Sequence, residues 1–268
     1  MMQKAGIEYL DMTWNPLAMR CSRVSAGCAN CWHLAMAARH GGNPAFTRAE
    51  RRAYRGDGPP ALVSERTGRV LRRKKPAVIG VQFMGDLFHE KVTVVQQLAV
   101  FEAMSWAPQH TFLVLTKRPA RMRERLYPKL EDVKTAEHSM LSRIMPQEHV
   151  WLGVSVEDQA TAEARVPELL KTPAARRWVS VEPMLAPVDL ETMSEPAGGD
   201  TRRLLKPLTG LDAVVCGAET GPGARPMLLE WARELRDACV AAGAPFFFKL
   251  DSEGRRELDG RRWEQRPW

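Results

Sequence analysis

The sequence predicts an α/β protein built from parallel β/α units, in the form of a partial or full parallel (β/α) barrel. From residue 78 onwards, short apolar runs alternate with helix-forming segments. This alternation is typical of parallel strands joined by right-handed crossovers. The length of 268 residues is near that of a one-domain barrel. A G-x-G-x-x-G turn between a strand and a helix and a G-x-x-x-x-G-K-[ST] loop are both absent, so Rossmann and P-loop folds have no support.

The elements follow one another in a regular order. A weak strand at 7–14 precedes a cysteine-rich loop, and a helix at 32–40 stops at Gly41-Gly42. Later strands are predicted at 78–84, 111–116, 150–155, 177–181, 212–216 and 245–250. Helices are predicted at 93–106, with Thr93 as the N-cap, at 161–170, and at 228–242, with Gly243 as the stop. We therefore expect one barrel over 1–250, with insertions near 41–76 and 123–149, and a basic tail over 251–268.

Composition limits the class of protein and its partners. The apolar share of 44% and the charged share of 26% are ordinary for a soluble globular protein. The sequence has no apolar run of the roughly 20 residues that a membrane span needs and no signal-peptide segment at Met1–Tyr9. A cytoplasmic protein without a membrane partner is expected. The net charge of +7 favours a polyanionic partner, DNA or a nucleotide, and the positive residues cluster at 48–55, 72–75, 117–125 and 255–266.

Three of the five cysteines lie close together in the loop after the first strand. Cys21, Cys28 and Cys31 have the spacing C-x6-C-x2-C, in a segment that is otherwise polar. Three thiolates on one loop suit a soft metal centre. Two centres remain open: a zinc ion completed by His33 or His40, and an iron–sulfur cluster with one iron left open. By contrast, Cys239 lies on the apolar face of the last helix and is predicted to be a core residue.

Polar residues follow nearly every predicted strand. In parallel β/α barrels the functional groups gather at the carboxyl ends of the strands. The cysteine loop follows the first strand, so we expect it to share a polar mouth with these residues. The residues at the other strand ends are Gly85, Asp86, His89, Lys117, Arg118, Ser155, Glu157, Asp158, Ser180, Glu182, Glu219, Thr220, Lys249 and Asp251.

On these residues the chain resembles the radical S-adenosylmethionine (SAM) superfamily. More closely, it resembles a family of phage and prophage proteins marked by a three-cysteine motif. The similarity spans about residues 8–250. The matching stretches are TWNPLAMRCSRVSAGCANCW, FMGDLFHEKV, PQHTFLVLTKRPARM, VWLGVSVEDQ, RWVSVEPMLAPVDL, LDAVVCGAETGPGARPM and PFFFKL. The commonest superfamily motif is C-x3-C-x2-C with an aromatic residue before the third cysteine; here the first spacing is longer and Trp32 follows Cys31.

The resemblance implies a fold of radical-SAM type, two cofactors and a set of site residues. It implies that Cys21, Cys28 and Cys31 hold a [4Fe–4S] cluster and that SAM binds its open iron. It also implies cleavage of SAM to a radical that abstracts a substrate hydrogen, with electrons from a reductase or small donor. The implied SAM-binding residues are Gly85 and Asp86 for the amino group, Ser155 and Glu157 for the ribose, Lys117 for the carboxylate or a phosphate, and Ser180 and Glu182 for SAM or substrate.

A phage-type family and a basic chain together favour a nucleobase or nucleotide substrate, as in phage DNA hypermodification, with an isomerisation as one outcome. The protein would then act in the host cytoplasm. The alternative from another class is a non-catalytic, zinc-stabilised nucleic-acid-binding protein that uses Cys21, Cys28, Cys31 and His33. A third alternative is a barrel that keeps its cluster only for structure or electron transfer.

Overall fold

A computed structural model of the chain describes residues 2–4, 6–128, 133, 135–196 and 202–268. It is an α/β protein whose described strands and helices alternate along most of the chain. The strands are β1 Met2–Lys4, β2 Met12–Trp14, β3 Leu17–Ala18, β4 Ala61–Leu62, β5 Val78–Val81, β6 Thr111–Thr116, β7 Val150–Val156, β8 Arg176–Val181, β9 Met193–Pro196, β10 Arg202–Leu205, β11 Ala213–Cys216 and β12 Phe246–Phe248. The helices are α1 Trp32–Gly42, α2 Arg48–Arg55, α3 Ser64–Arg72, α4 Val94–Ser105, α5 Pro119–Leu126, α6 Ala136–Arg143, α7 Gln159–Lys171 and α8 Leu229–Ala242.

The main sheet has the strand order β1-β2-β5-β6-β7-β8-β11-β12. Its first strand, β1, is antiparallel to β2, and the other seven strands form a parallel sheet that curls as a half-barrel flanked by helices. β3 pairs with β4, and β9 pairs with β10, in two small antiparallel sheets. The predicted α/β class and the partial parallel barrel are thus confirmed.

The chain divides into two compact units. Unit 1 comprises Met1–Val24, Cys31–Trp151 and Pro173–Ala175, and unit 2 comprises Ser25–Asn30, Leu152–Thr172 and Arg176–Trp268. Each unit contains parallel strands with polar residues after their carboxyl ends. The cysteine loop contributes to both units: Cys21 and Cys31 belong to unit 1, and Cys28 belongs to unit 2.

Unit 1 is built on the parallel pairs β2–β5 and β5–β6. Trp14 and Phe112 are fully buried in its core, with ring centroids 6.0 Å apart. The predicted insertion at 41–76 folds into α2, β4 and α3 and packs on this core. Arg66 of α3 donates to Glu50 Oε1 at 2.5 Å and to the Tyr54 hydroxyl at 3.1 Å, and its carbonyl accepts from the Trp14 indole at 2.9 Å.

The insertion near 123–149 contains α6 and the end of α5, and residues 129–132 and 134 lie outside the described part.

Unit 2 is built on β8, β11 and β12, all parallel. Gly153 of β7 is required here, because a Cβ at this position would lie 2.3 Å from the Trp178 indole nitrogen. The basic tail is not a separate segment. The Phe248 amide donates to the Trp263 carbonyl at 2.8 Å, and Phe247 forms a β-bridge with Glu264.

Most predicted element boundaries agree with the structure to within two residues. Thr93 caps α4, Gly243 ends α8 with a φ of 71°, and Cys239 is fully buried. The first strand is the main difference, because only Met12–Trp14 pair with β5, and residues 7–10 lie outside any strand. Among the described residues, no helix is both long and apolar enough to cross a bilayer.

Candidate functional site

The three-cysteine loop begins after β2 and ends at α1. It contains the short β3 and a 3₁₀ turn at Ala26–Cys28, and Cys31 is the N-cap residue of α1. Cys21 and Cys31 are half-buried, Cys28 is buried, and all five cysteines of the chain are reduced. A polar loop with three reduced thiols has the donor chemistry of a soft metal centre.

His33 supports the first cysteine. Its Nε2 accepts a hydrogen bond from the Cys21 amide at 3.1 Å. Burial, helped by the positive charge of Arg20, lowers the pKa of His33 to about 4, so the imidazole is neutral near pH 7. A neutral ring that accepts at Nε2 carries its proton on Nδ1. In this arrangement Nε2 serves the backbone, which makes His33 a poor fourth ligand for zinc.

Asp86 organises the turn after β5. Its Oδ1 accepts from the Phe88 amide at 2.9 Å and from the Thr116 hydroxyl at 2.7 Å. Its Oδ2 accepts from Arg118 Nη1 at 3.0 Å and from the Lys117 amide at 3.3 Å. Both carboxylate oxygens therefore already accept from protein donors, which gives Asp86 a structural task. The SAM-binding role expected for it from the sequence stays a prediction.

Gly85 permits this turn. It has a φ of 138°, a conformation that side chains disfavour. A Cβ at this position would also approach the Met19 sulfur to 2.7 Å, so the turn after β5 packs directly on the segment that leads to Cys21.

Arg118, one of the polar residues expected at a strand end, is buried in unit 1. Its guanidinium lies between the carboxylates of Asp86 and Glu90 and contacts Cys21 and Ser22 of the cysteine loop. A cation that is enclosed in this way is not available to an external phosphate. Lys117, which is partly exposed, is the more accessible of the two cations at this strand end, and phosphate binding there stays a prediction.

In unit 2, Glu157 holds the start of the Cys28 segment. It follows β7, is fully buried, and accepts from the Ser25 hydroxyl at 2.8 Å. Nη1 of Arg165 lies 3.2 Å from Glu157 Oε2 and also donates to the Ser155 carbonyl at 2.6 Å. Gly27 lies against the same carboxylate, because a Cβ on it would come within 2.4 Å of Glu157 Cγ.

A second ion pair of unit 2 holds the rest of the Cys28 segment. Glu219, after β11, accepts from Arg225 at both oxygens, at 2.6 and 2.8 Å. Its Oε2 also accepts from the Asn30 amide group at 3.1 Å. Arg225 in turn donates to the Ala26 carbonyl at 3.0 Å. Two buried glutamates and their arginines thus hold residues 25–30, on both sides of Cys28.

Four further predicted residues of unit 2, Ser155, Ser180, Glu182 and Lys249, lie at the ends of β7, β8 and β12. Ser155 and Ser180 are buried, and the Ser155 hydroxyl donates to the Glu182 carbonyl at 3.1 Å. The Glu182 carboxylate pairs with the ammonium group of Lys249. Both members of this pair are partly exposed, so a polar ligand has access to them. Ser155, Glu157, Ser180 and Glu182 all belong to unit 2; their role in binding SAM stays a prediction.

No group of three His, Cys, Asp or Glu side chains in the described part of the chain is placed so that it could hold a metal ion. The thiols themselves differ sharply in environment. Burial raises the pKa of Cys216 far above its ordinary value and that of Cys239 to about 12. These two thiols are therefore core groups, whereas Cys21 and Cys31 of the loop are half-buried.

A sequence profile described as "Protein of unknown function (DUF5131)" matches residues 4–267. The chain belongs to this family. No curated protein and no solved structure matches significantly. The match shows that one family pattern covers both units of this DUF5131 protein, together with the tail.

Sequence reasoning missed three residues of the loop supports in this DUF5131 protein. Arg165 lies within α7, and an arginine within a helix is usually predicted to be exposed to solvent. Arg225 lies beyond a run of glycines and a proline, GPGAR, and Asn30 lies between Cys28 and Cys31, where a polar residue has no distinctive pattern. The one available signal was the pair of glutamates after β7 and β11, since buried carboxylates require cationic partners.

The Glu219–Arg225 pair predicts a specific pH dependence. Hydrogen bonds from Arg225 lower the pKa of Glu219 to about 2 from 4.5. The depressed pKa contributes stability that is present above about pH 4.5 and is lost as the pH falls towards 2. We expect Glu219→Gln to lower the thermal midpoint at pH 7 and to lower it much less at pH 3. Thermal unfolding monitored by circular dichroism at both pH values measures the difference.

The control for this prediction is Glu230→Gln. Glu230 pairs with Arg233 at 3.0 Å, but its side chain is 67% exposed, and such pairs contribute little. If Glu219→Gln lowers the midpoint equally at pH 7 and pH 3, the ionised carboxylate is not what stabilises the loop.

Proposed function

We propose that this protein is a radical SAM enzyme whose Cys21, Cys28 and Cys31 hold a [4Fe–4S] cluster. One observation carries the proposal: the loop with the three thiols is held by three ion pairs whose carboxylates are buried. In unit 1 the Asp86–Arg118 pair contacts Cys21 and Ser22, and in unit 2 the Glu157 and Glu219 pairs hold residues 25–30. Buried charges are costly unless they are well paired, so a loop supported by three buried carboxylates, each with an arginine partner, is built for positional accuracy.

The chain's own residues hold and orient the reacting groups. Cys21, Cys28 and Cys31 would hold the cluster, which together with SAM would supply radical hydrogen-abstraction chemistry. Arg118 and His33 fix the Cys21 end of the loop, while Glu157 and Glu219 fix the segment around Cys28. Of the residues predicted to bind SAM, Asp86 and Glu157 have carboxylates that accept from protein donors in this structure. We therefore assign them to the support of the loop.

Direct contacts with SAM or substrate are proposed for the more accessible groups. Lys117 is half-buried at the end of β6, and the Glu182–Lys249 pair is partly exposed at the ends of β8 and β12. Gly85 presents backbone rather than a side chain, which suits close approach of the methionine part of SAM. Ser155 and Ser180 are buried. They would therefore act on SAM or substrate through neighbouring residues rather than by direct contact.

Anaerobic reconstitution tests the proposal. We expect a brown protein with about four irons per chain and, with dithionite and SAM, formation of 5′-deoxyadenosine. Iron, sulfide and zinc analysis together with chromatography of the SAM products measures both results. A colourless protein with one zinc per chain and no SAM cleavage would instead support the nucleic-acid-binding alternative. A brown protein that leaves SAM intact would support a cluster used only for structure or electron transfer.

For the substrate we propose a nucleobase or nucleotide, with DNA as the polyanion. Three of the basic clusters contribute to internal pairing: Arg55 pairs with Asp57, Arg118 with Asp86, and Arg255 with Asp251. For Arg72–Lys75, no ion pair to a carboxylate occurs within the described ranges, and Arg72, Lys74 and Lys75 are exposed. This cluster is the best candidate for phosphate contacts.

Salt dependence measures these phosphate contacts. Each phosphate neutralised on duplex DNA adds about 0.9 to the slope of log K against log salt. We expect the double variant Lys74→Ala/Lys75→Ala to reduce the slope by about 2 in a fluorescence anisotropy titration. The matched control, Arg255→Ala, removes a cation that is paired with Asp251 and should leave the slope unchanged. A wild-type slope near zero would favour a small-molecule substrate.

A further inference from the structure

Arg118 joins three segments of unit 1 through one guanidinium group. It follows β6, and its Nε donates to Glu90 Oε1 at 2.7 Å. Nη1 donates to Asp86 Oδ2 at 3.0 Å and reaches the Cys21 sulfur at 3.8 Å. Nη2 donates to the Ser22 hydroxyl at 2.7 Å and to the Ser22 carbonyl at 3.4 Å. All three nitrogens therefore contribute to one network around the first cysteine.

Burial and further hydrogen bonds fix this network in place. Arg118 is 8% exposed and Asp86 is 4% exposed. Asp86 is itself held by the Thr116 hydroxyl at 2.7 Å, and the Ser22 hydroxyl lies 3.0 Å from His89 Nε2. A planar guanidinium with several fixed acceptors has little freedom to rotate. Its position therefore determines the position of the Cys21–Ser22 backbone.

The contact with Cys21 has an electrostatic consequence. Hydrogen bonds to ligand sulfurs and the net charge nearby set the reduction potential of iron–sulfur centres. A cation beside a ligand sulfur stabilises the reduced state, because reduction adds negative charge. Arg118 is thus placed to affect both the geometry of Cys21 and the ease of reducing a centre that Cys21 ligates.

We propose that Arg118 is a positioning residue that fixes the Cys21–Ser22 backbone and, through its contact with the Cys21 sulfur, raises the reduction potential of the cluster. The second half of this proposal rests on the proposed function. The first half applies equally to the protein without a cluster. The two halves are therefore measured separately.

The variants are Arg118→Gln and Arg118→Lys, with Arg121→Gln as the control. Arg121 is also an α5-region arginine near Glu90, and its Nη2 donates to the Glu90 carbonyl at 3.0 Å. In the cluster-free protein, we expect amide hydrogen exchange in residues 19–24 to be about tenfold faster in Arg118→Gln than in the wild type. We expect an intermediate exchange rate in Arg118→Lys. An ammonium group keeps the positive charge but lacks the planar set of N–H donors of a guanidinium group. Arg121→Gln should exchange as the wild type does.

In the reconstituted protein, a redox titration monitored by electron paramagnetic resonance measures the effect of Arg118 on the reduction potential of the cluster. At a fixed ambient potential, Arg118→Gln should show about a tenfold lower ratio of reduced to oxidised cluster, or a midpoint about 59 mV lower for one electron. An unchanged midpoint overturns the electrostatic half, and exchange equal to that of the control overturns the positioning half.

Two further outcomes remain decisive. If the wild type binds no iron, the proposed function fails, and the exchange rates of the cluster-free protein alone decide the positioning half. If Arg118→Gln does not fold, Arg118→Lys and Ser22→Ala replace it, since each removes part of the guanidinium–Ser22 contact. Exchange at wild-type rates in both of these variants would overturn the proposal.

Discussion

Replacing any one of Cys21, Cys28 or Cys31 with alanine is expected to abolish the iron–sulfur chromophore almost completely. Each of these thiols is a proposed ligand, and a cluster held by three cysteines has no spare protein ligand. Iron content and the absorption spectrum after identical anaerobic reconstitution measure the loss. We expect the iron content to fall from about four per chain to near zero, given four irons in the cluster.

The matched controls are Cys216→Ala and Cys239→Ala. Both side chains are fully buried in unit 2, so their removal creates small cavities that lower the thermal midpoint. The iron content per folded chain should nevertheless equal that of the wild type. If Cys239→Ala bleaches the protein as completely as Cys28→Ala does, the ligand assignment is wrong.

Arg165→Met is expected to have the largest effect on stability of any single change in the loop supports. It leaves the Glu157 carboxylate, which is fully buried, without its cationic partner. Removal of one member of a buried ion pair costs about 3–5 kcal/mol, which corresponds to a fall of roughly 10 °C in the thermal midpoint for a chain of this size. Calorimetry or circular dichroism melting measures it.

The double variant Arg165→Met/Glu157→Gln tests the cause of that loss. It removes both charges, so it should recover much of the stability, although the hydrogen bond from Arg165 to the Ser155 carbonyl stays lost. Iron content should fall in Arg165→Met. The Glu157 carboxylate that loses Arg165 in this variant also accepts from the Ser25 hydroxyl, in the segment around Cys28. A double variant as unstable as Arg165→Met would show that the buried charge is not the reason for the loss.

The fold was largely predictable from local patterns, because apolar runs and caps act over a few residues. The run at 111–116 coincides with β6, and Thr93, Asp158 and Gly243 mark helix ends through local hydrogen bonds or backbone conformation. The first strand was harder to place, since β2 has only three residues and gains its stability from pairing with β5, more than 60 residues away.

The site was predictable in its residue types and much less so in their partners. The sequence indicates the three cysteines and the polar strand ends, and the structure describes these residues after the expected strands. Arg118 illustrates the limit. Its acceptors, Asp86 and Ser22, are 32 and 96 residues away in the chain, so no local pattern distinguishes this buried cation from its neighbour Lys117. Arg165 and Arg225 were missed for the same reason.

The pairing of residues 263–265 with β12 covers one edge of the main sheet. β12 consists of three consecutive phenylalanines at one end of the main sheet, and an open apolar edge strand is a template for aggregation. Residues 263–265 cover that edge with backbone hydrogen bonds, and the Arg266 guanidinium lies 5.3 Å from the centre of the Phe247 ring. Residues 263–266 therefore shield this edge of the sheet, so a substitution that breaks their pairing would expose three phenylalanines to strand addition.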